Sequence, residues 1–440
     1  YIIQVIFRVL YHIKDWQEDE CMNQEGLLEG LRKTVQQVLK APYYQKKLAE
    51  AGIFYPADIK TIEDFRRIPL TEKEDLRQNY PFGLFAEPMD KIVRVHASSG
   101  TTGKPTVVGY TREDINLWAD IVANGLRRIG VTPNDVIQVA YGYGLFTGGM
   151  GLHYGCEKLG ALVIPISGGN THRQLMLMRD FGSTVLCCTP SYALYLADSM
   201  EEAGIRKEDL KLRLGVFGAE PWTEKMRHEI ENRLGLRAID IYGLSEIMGP
   251  GVSMECLKCN GLHIDEHFYP EIIDAEGNVL PEGEIGELVI TSLDKMGFPT
   301  LRYRTKDLTS ITYGSCECGH TGWTMQRVSG RVDDMLIIRG VNVFPSQIEE
   351  AILSVSGVEP HYLIIVDREN NLDTLEVLVE LSAESFTDEI RELEILQARI
   401  ENKIEDVIGI NVKVRLVEPK SIPRSEGKAK RVEDRRKGKM

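Results

Sequence analysis

Residues 183–243 read "STVLCCTPSYALYLADSMEEAGIRKEDLKLRLGVFGAEPWTEKMRHEIENRLGLRAIDIYG". Three short apolar runs of strand length, "STVLCCT", "RLGVFG" and "RAIDIYG", are separated by stretches at 191–203 and 222–234 whose apolar residues recur at helical spacing. A buried strand followed by a helix, repeated, is the pattern of an α/β fold with a largely parallel sheet. The same unit recurs upstream, where "DVIQVAY" and "ALVIPI" precede a helical stretch at 173–181.

The texture changes on both sides of this block. Residues 24 to 50 read as one helix through Leu27, Leu28, Leu31, Val35, Val38 and Leu39, and a Pro-punctuated segment follows in which Thr71 is positioned to cap a helix with Glu74 three residues on. After residue 250, "YPEIIDAEGNVLPEGEIGELVIT" alternates around Gly and Pro turns, which predicts an antiparallel, barrel-like subdomain. From about 334, "DMLIIRGVNVFPSQIEEAILSV", "PHYLIIVDR", "TLEVLVELS", a long helix near 386–407 and "NVKVRLV" predict a small α+β domain. The expected division is 1–332 for a large domain and 333–440 for a small one, meeting at Asp333. No internal repeat or low-complexity tract is present.

The 440 residues carry 52 basic and 66 acidic side chains, a formal charge of −14. That balance argues against nucleic acid or an anionic membrane as the main partner, although a local basic site can still hold a nucleotide. No run approaches the 18 or so apolar residues needed to span a bilayer. Arg8 interrupts the apolar opening "YIIQVIFRVLYHI" and no small-residue cleavage site follows, so residues 1 to 14 read as a leader or a packed helix. Cys156, Cys187 and Cys188 sit in apolar stretches as core thiols, which fits a reduced, cytoplasmic protein; a homodimer is allowed.

Residues 94–108, "RVHASSGTTGKPTVV", place Ser98, Ser99, Gly100, Thr101, Thr102, Gly103 and Lys104 between apolar runs. A Walker A loop requires a glycine at 98 and a hydroxyl residue after the lysine, and here Pro105 follows Lys104. No G-x-G-x-x-G opens a first strand–turn–helix unit, so a dinucleotide site has no support either. What remains is a Ser/Thr/Gly loop whose N–H groups and hydroxyls can wrap a polyphosphate, with Lys104 adding charge.

Four further stretches follow in order: "IYGLSE" at 241–246, "YRTKD" at 303–307, "GRVDDMLIIRGVNVFPSQIEE" at 330–350 and "PRSEGK" at 423–428. Together with "SSGTTGKPT" they resemble the adenylate-forming superfamily, which comprises acyl-CoA synthetases, luciferases and peptide-synthetase adenylation domains. The wording of "LTEKEDLRQNYPFGLF", "AYGYGLFTGGMG", "SEIMGPGV" and "RGVNVFPSQIEE" is closest to its aryl-acid CoA ligases, and the resemblance covers nearly everything after residue 15.

The resemblance implies an enzyme that joins an aryl acid, with phenylacetate favoured, to ATP as an acyl-adenylate and then to coenzyme A. It implies that the loop 98–104 holds the terminal phosphates, that Glu246 holds Mg2+, and that Asp307 accepts from the ribose hydroxyls. Ala219, Glu220 and Pro221 would run beside the adenine with Asp240, Ile241, Tyr242 and Gly243, and Arg331 would touch the nucleotide phosphate. Lys428 would reach the carboxylate and phosphate oxygens during adenylation, although on local composition it belongs to a solvated basic tail. Asp333 would be the hinge for rotation of the small domain, and Arg339 and Gly340 would line the path of CoA. Tyr141, Tyr143 and Phe146, with Ala219 and Tyr242, would wall the aryl pocket, and Lys73 is a lesser candidate for the terminal phosphates. An alternative keeps adenylation but changes the acid or passes the acyl group to a cofactor or carrier protein.

A separate pattern carries different chemistry. "ECLKCNGLHIDEHF" holds Cys256, Cys259 and His263, and "SCECGHTGW" holds Cys316, Cys318 and His320 about 60 residues later. Two cysteine-bearing segments with short spacings read as a structural zinc site with all four positions filled by protein. The resemblance favours Cys256, His263, Cys316 and Cys318, and a set of four thiols would use Cys259 instead of His263.

Overall fold

The computed structural model describes residues 25–98, 105–339, 341–369, 372–382, 385–386, 389–425 and 427–438. The readings placed on residues 1–14, on 99–104 of the glycine loop and on Gly340 lie outside the described residues.

The apolar runs form a parallel block in the order Leu162–Ile164, Val136–Val139, Val185–Cys188, Leu214–Gly218 and Arg237–Tyr242. Their continuous hydrophobicity follows from burial on both faces, complete along Val185–Cys188 and Leu214–Gly218. The helices Thr147–Leu159, Thr171–Asp180, Pro190–Glu202 and Glu224–Leu234 connect these strands. Two start at threonines whose hydroxyls accept a helical N–H, Thr189 from Tyr192 and Thr223 from Met226, and two stop at left-handed Gly160 and Gly235. Beyond Tyr242 the same sheet continues antiparallel through Ser253–Glu255, Leu262–Ile264, Thr321–Met325 and Ile311–Ser315.

A second antiparallel sheet packs Phe268–Ile273, Gly286–Ser292, Tyr303–Thr309 and Gly330–Arg331 in that order, with a separate ladder between Arg94–Ala97 and Val107–Tyr110. The C-terminal part has its own sheet, ordered Lys413–Val417, Leu372–Leu381, Val358–Glu369 and Val432–Asp434. Helices Pro345–Leu353 and Ile390–Ile408 cover it, and Ile348, Ile352, Ile364, Val377, Ile400 and Ile404 fill a core separate from those of the preceding chain. Between the two parts Asp333 lies in the short turn Val332–Asp334, after strand Gly330–Arg331 and before strand Leu336–Ile338.

Three local expectations are corrected. The helix expected over 24–50 is two helices, 25–38 and Pro42–Glu50, because Pro42 lacks an N–H and holds Ala41 extended. Thr71 does not cap the next helix. Its hydroxyl donates to the Leu301 carbonyl at 2.7 Å, and helix Lys73–Gln78 begins one residue later, where Asp75 accepts the Glu72 N–H at 2.8 Å. The long helix expected from 386 begins at Ile390.

Helix Arg112–Arg128 shows how tightly the large core is specified. Trp118 stacks on Tyr110 with ring centroids 5.2 Å apart and donates to the Pro250 carbonyl at 2.8 Å. Gly151 on the facing helix is required there, since a Cβ would fall 2.3 Å from the indole. Trp118→Ala should lower unfolding free energy by about 3–5 kcal/mol in chemical denaturation, the usual loss for emptying a packed aromatic site. A change below about 1 kcal/mol would contradict this account of the packing.

Candidate active site

The carboxyl ends of the parallel strands, where open α/β sheets hold ligands, gather most of the site residues expected from sequence. Gly218 pairs with Ile241 so closely that a Cβ would sit 2.1 Å from the Ile241 carbonyl oxygen. The segments Ala219–Pro221 and Tyr242–Gly243 therefore leave adjacent strand ends side by side. Ala219 adopts φ 72°, a left-handed conformation unusual for a residue with a side chain.

Glu246 is buried and is held from two sides. Thr106 donates to its Oε1 at 3.2 Å, and Lys73 brings its ammonium to 3.4 Å from the same oxygen. Ser98 hydrogen-bonds Thr106, so the near flank of the glycine loop and the acidic residue form one chain of contacts. Thr147 and Ser245 join hydroxyls at 3.1 Å, tying the loop that carries Tyr143 and Phe146 to the one that carries Glu246. Lys295, buried against Tyr110 and Phe298, donates to the Ile247 carbonyl and fixes the backbone just beyond Glu246.

Asp307 is the second buried carboxylate. Tyr242 donates to its Oδ2 at 2.6 Å and Arg331, its partner across the antiparallel ladder, to its Oδ1 at 2.6 Å. Burial raises its pKa above the usual carboxylate range, opposed by the Arg331 guanidinium. Arg331 also donates to Asp333 at 3.0 and 3.2 Å, so the ribose candidate and the hinge candidate share one cation, itself the phosphate candidate.

Lys428 stands at the open face of this cleft and keeps solvent access. The protein around it and the nearby Arg331 depress its pKa, while Glu220, Asp307 and Glu246 oppose that shift. Its loop is anchored by Glu220, which accepts from Ser191 N–H at 2.8 Å and from Ala429 N–H at 2.9 Å.

Among the aryl-pocket candidates, Tyr141 is buried and its hydroxyl has no hydrogen-bond partner among the described residues. Tyr143 places its hydroxyl 3.4 Å from His153 Nδ1, and Phe146 is exposed at the start of helix Thr147–Leu159. Arg339 donates to the Asn411 carbonyl at 2.6 Å.

Sequence reasoning named the carboxylates but missed Thr106, which donates to Glu246, the Thr147–Ser245 pair that ties the two loops, and His153 beside the Tyr143 hydroxyl. Only Thr106 carried a legible signal, a hydroxyl residue directly after the Lys-Pro end of the loop.

The cysteines converge away from this cleft. Cys256 and Cys259 sulfurs are 3.6 Å apart, Cys256 and Cys316 3.7 Å, Cys259 and His263 Nε2 3.5 Å, and Cys318 and His263 Nε2 3.3 Å. Zinc–sulfur bonds of about 2.3 Å in a tetrahedron give ligand separations of about 3.8 Å, so the unbonded thiols are spaced as zinc ligands would be. The ligand atoms of Cys256, Cys259, His263 and Cys316 all lie within 4.8 Å of one another, and Cys318 approaches His263 at 3.3 Å. His263 Nδ1 lies 3.0 Å from the Thr324 hydroxyl, which orients Nε2 toward the sulfurs, and His320 stacks on its ring at 4.3 Å.

The AMP-binding enzyme family matches residues 43–296, and its C-terminal domain matches residues 340–436. The chain therefore belongs to the AMP-binding, adenylate-forming enzymes. Within them it falls in the phenylacetate-coenzyme A ligase family: it is 51% identical to the enzyme of that name from Pseudomonas putida, over 93% of each chain. A 2-hydroxyisobutyryl-CoA ligase in its postadenylation state superposes with a TM-score of 0.89 at 30% identity, covering 95% of this chain and 90% of that one. The same ligase in its thioesterification state scores 0.69 at 31% identity, over 94% and 90%.

Beside the adenine candidates, Asp240 is packed against Glu255, which binds Arg227 and Arg327, each at 2.7 Å, and accepts the Asp240 N–H at 2.7 Å. Burial, then the Glu255 charge, raises the Asp240 pKa to about 7. An unfolded aspartate titrates near about 3.9, so between these values the native state holds a proton that the unfolded chain releases. Stability from this carboxyl is therefore lost as pH rises through that window. Asp240→Asn should flatten the fall in Tm from pH 5 to pH 8, and parallel Tm curves for variant and wild type would refute the assignment.

Proposed function

We propose that this chain converts phenylacetate, ATP and coenzyme A into phenylacetyl-CoA, AMP and pyrophosphate in two steps. The observation that carries the reading is the meeting of Glu246, Asp307, Arg331, Glu220 and the Lys428 loop around one cleft, in a chain of the phenylacetate-CoA ligase family.

In the first step a carboxylate oxygen bonds to the α-phosphorus of ATP and pyrophosphate leaves. Two anions must approach, and Lys428 and Arg331 supply fixed positive charge where negative charge concentrates. The loop 98–104 and Lys73 hold the terminal phosphates, and Glu246 holds the Mg2+ that accompanies the nucleotide. Asp307, kept in place by Tyr242, accepts from the ribose hydroxyls, while Ala219–Pro221 and Asp240–Gly243 border the adenine. Tyr141, Tyr143 and Phe146 enclose the ring of the acid with Ala219 and Tyr242.

In the second step the thiol of coenzyme A loses its proton, its sulfur bonds to the acyl carbon, and AMP departs. Arg339 faces Asn411 in the arrangement described, which is nearer the postadenylation than the thioesterification state of the structural relative. Rotation of the part from 333 onward about Asp333 would bring Arg339 and Gly340 to the path of the thiol.

Pyrophosphate release across a panel of aryl and fatty acids, with and without CoA, tests the reading. Phenylacetate should give the highest rate, and release without CoA consumption would assign the chain a different acceptor. Lys428→Ala should slow acyl-adenylate formation by about a hundredfold or more, the scale for losing one preorganised charge-stabilising group, yet largely spare thioester formation from supplied phenylacetyl-adenylate. Equal losses in both steps would remove Lys428 from its role.

The cysteine cluster is proposed to hold structural zinc through Cys256, Cys259, His263 and Cys316, which exchanges Cys318 for Cys259 in the set favoured from sequence. With all four positions filled, the metal would clasp the turn after Ile311–Ser315 to the strands around Glu255 and His263. Elemental analysis should find about one zinc per chain, abolished in Cys256→Ser/Cys316→Ser and reduced more by Cys259→Ser than by Cys318→Ser. A metal-free protein of unchanged Tm would refute the site. Free thiols at every described cysteine suit the cytoplasm, where we place the protein.

A further inference from the structure

Helix Pro190–Glu202 carries a row of contacts to the C-terminal segment. Thr189, its cap, donates to the Gly427 carbonyl at 3.1 Å, and Ser191 N–H shares the Glu220 carboxylate with Ala429 N–H. Two turns further on, Asp198 faces Arg424 at 3.3 Å and His361 Nε2 at 3.5 Å, with Arg233 of its own part at 2.8 Å. At the end of the helix Glu202 pairs with Lys420. Residues 191, 198 and 202 share one face of the helix, so the row is continuous.

Asp198 is the member of this row shielded from water and remote from the nucleotide. Its side chain is 15% exposed, those of Arg233 and Arg424 are 15% and 14%, and Glu380, which grips Arg424 at 2.6 and 2.7 Å, is 1% exposed. Each arginine keeps another acidic partner without Asp198, Arg233 through Glu201 at 2.9 Å and Arg424 through Glu380. Loss of the Asp198 charge therefore leaves both arginines paired, and what it removes is the buried link in the row that joins helix Pro190–Glu202 to the segment leading to Lys428.

The relative's two states differ in their likeness to this chain, 0.89 against 0.69, at nearly the same identity. The Asp198 contacts belong to the arrangement nearer the postadenylation state, and a contact made in one state alone shifts the balance by its own strength. We propose that Asp198 is a positioning residue, a latch that holds the C-terminal part in the adenylating arrangement and so sets the partition between the two half-reactions. This rests on the two-step reading above.

The test compares wild type, Asp198→Asn, Asp198→Glu and Arg424→Gln. Acid-dependent ATP–pyrophosphate exchange without CoA should fall about tenfold in Asp198→Asn, within the range for coupled charged neighbours. Single-turnover formation of phenylacetyl-CoA from supplied phenylacetyl-adenylate should hold or rise. Asp198→Glu should restore part of the exchange, and adding Arg424→Gln to Asp198→Asn should cost no more than either alone. Hydrogen exchange supplies a readout independent of activity: the amides of 189, 191, 192 and 427–431 should lose protection in Asp198→Asn, while strand Val136–Val139 keeps its own. Equal loss of both half-reactions, or unchanged protection at both segments, would overturn the latch. Absence of exchange in the wild-type protein would instead overturn the two-step reading, leaving the protection measurement to judge the contact.

Discussion

The ion pair between Asp307 and Arg331 is the constraint on which the site depends. A carboxylate this buried is costly unless a cation and hydrogen-bond donors meet it, and Arg331 and Tyr242 do so at 2.6 Å each. Satisfying Asp307 brings together three parts of the chain: the end of the parallel block at Tyr242, the second antiparallel sheet through strand Tyr303–Thr309, and strand Gly330–Arg331 that leads to Asp333. The cleft proposed to hold the nucleotide lies where these elements meet. Its proposed ribose acceptor and its proposed hinge are coupled because one guanidinium binds both.

The sheet that positions this pair changes character along its width. On one side it is parallel, with short apolar strands covered by helices, and its carboxyl ends open toward the cleft. On the other it is antiparallel, with partly exposed strands that turn through the cysteine segments. The cysteine cluster lies on the antiparallel extension, and the Glu255–Arg227–Arg327 network joins that extension to the strand bearing Asp240. A metal held by the cysteines would brace a wall of the nucleotide site without entering its chemistry.

The role proposed for Lys428 requires its loop to hold charge in place during the first step and to release it for the second. Here the Lys428 loop is secured by backbone bonds to Glu220 and Thr189 and by the charge cluster at Asp198. Such contacts must be strong enough to preorganise the first step and weak enough to release for the second. Partly buried ion pairs whose members each keep another partner meet both demands, because little charge is left uncompensated when the interface opens.

Local information was legible without the structure. The alternation of strand and helix over 135–243, the change to antiparallel texture, the separate C-terminal unit and the ordered motifs depend on periodicity and on which residues must be buried, and these operate over a few residues. The cap expected at Thr71 fails because the Leu301 carbonyl, just before strand Tyr303–Thr309, claims its hydroxyl. Only the tertiary structure decided which side chains meet: Thr106 with Glu246 across 140 residues, Tyr242 with Asp307 across 65, Arg424 with Asp198 across 226, and the two cysteine segments with one another, Cys256 with Cys316 across 60. Those pairings are set by how separate elements pack, and no spacing along the chain encodes where a loop closes in space.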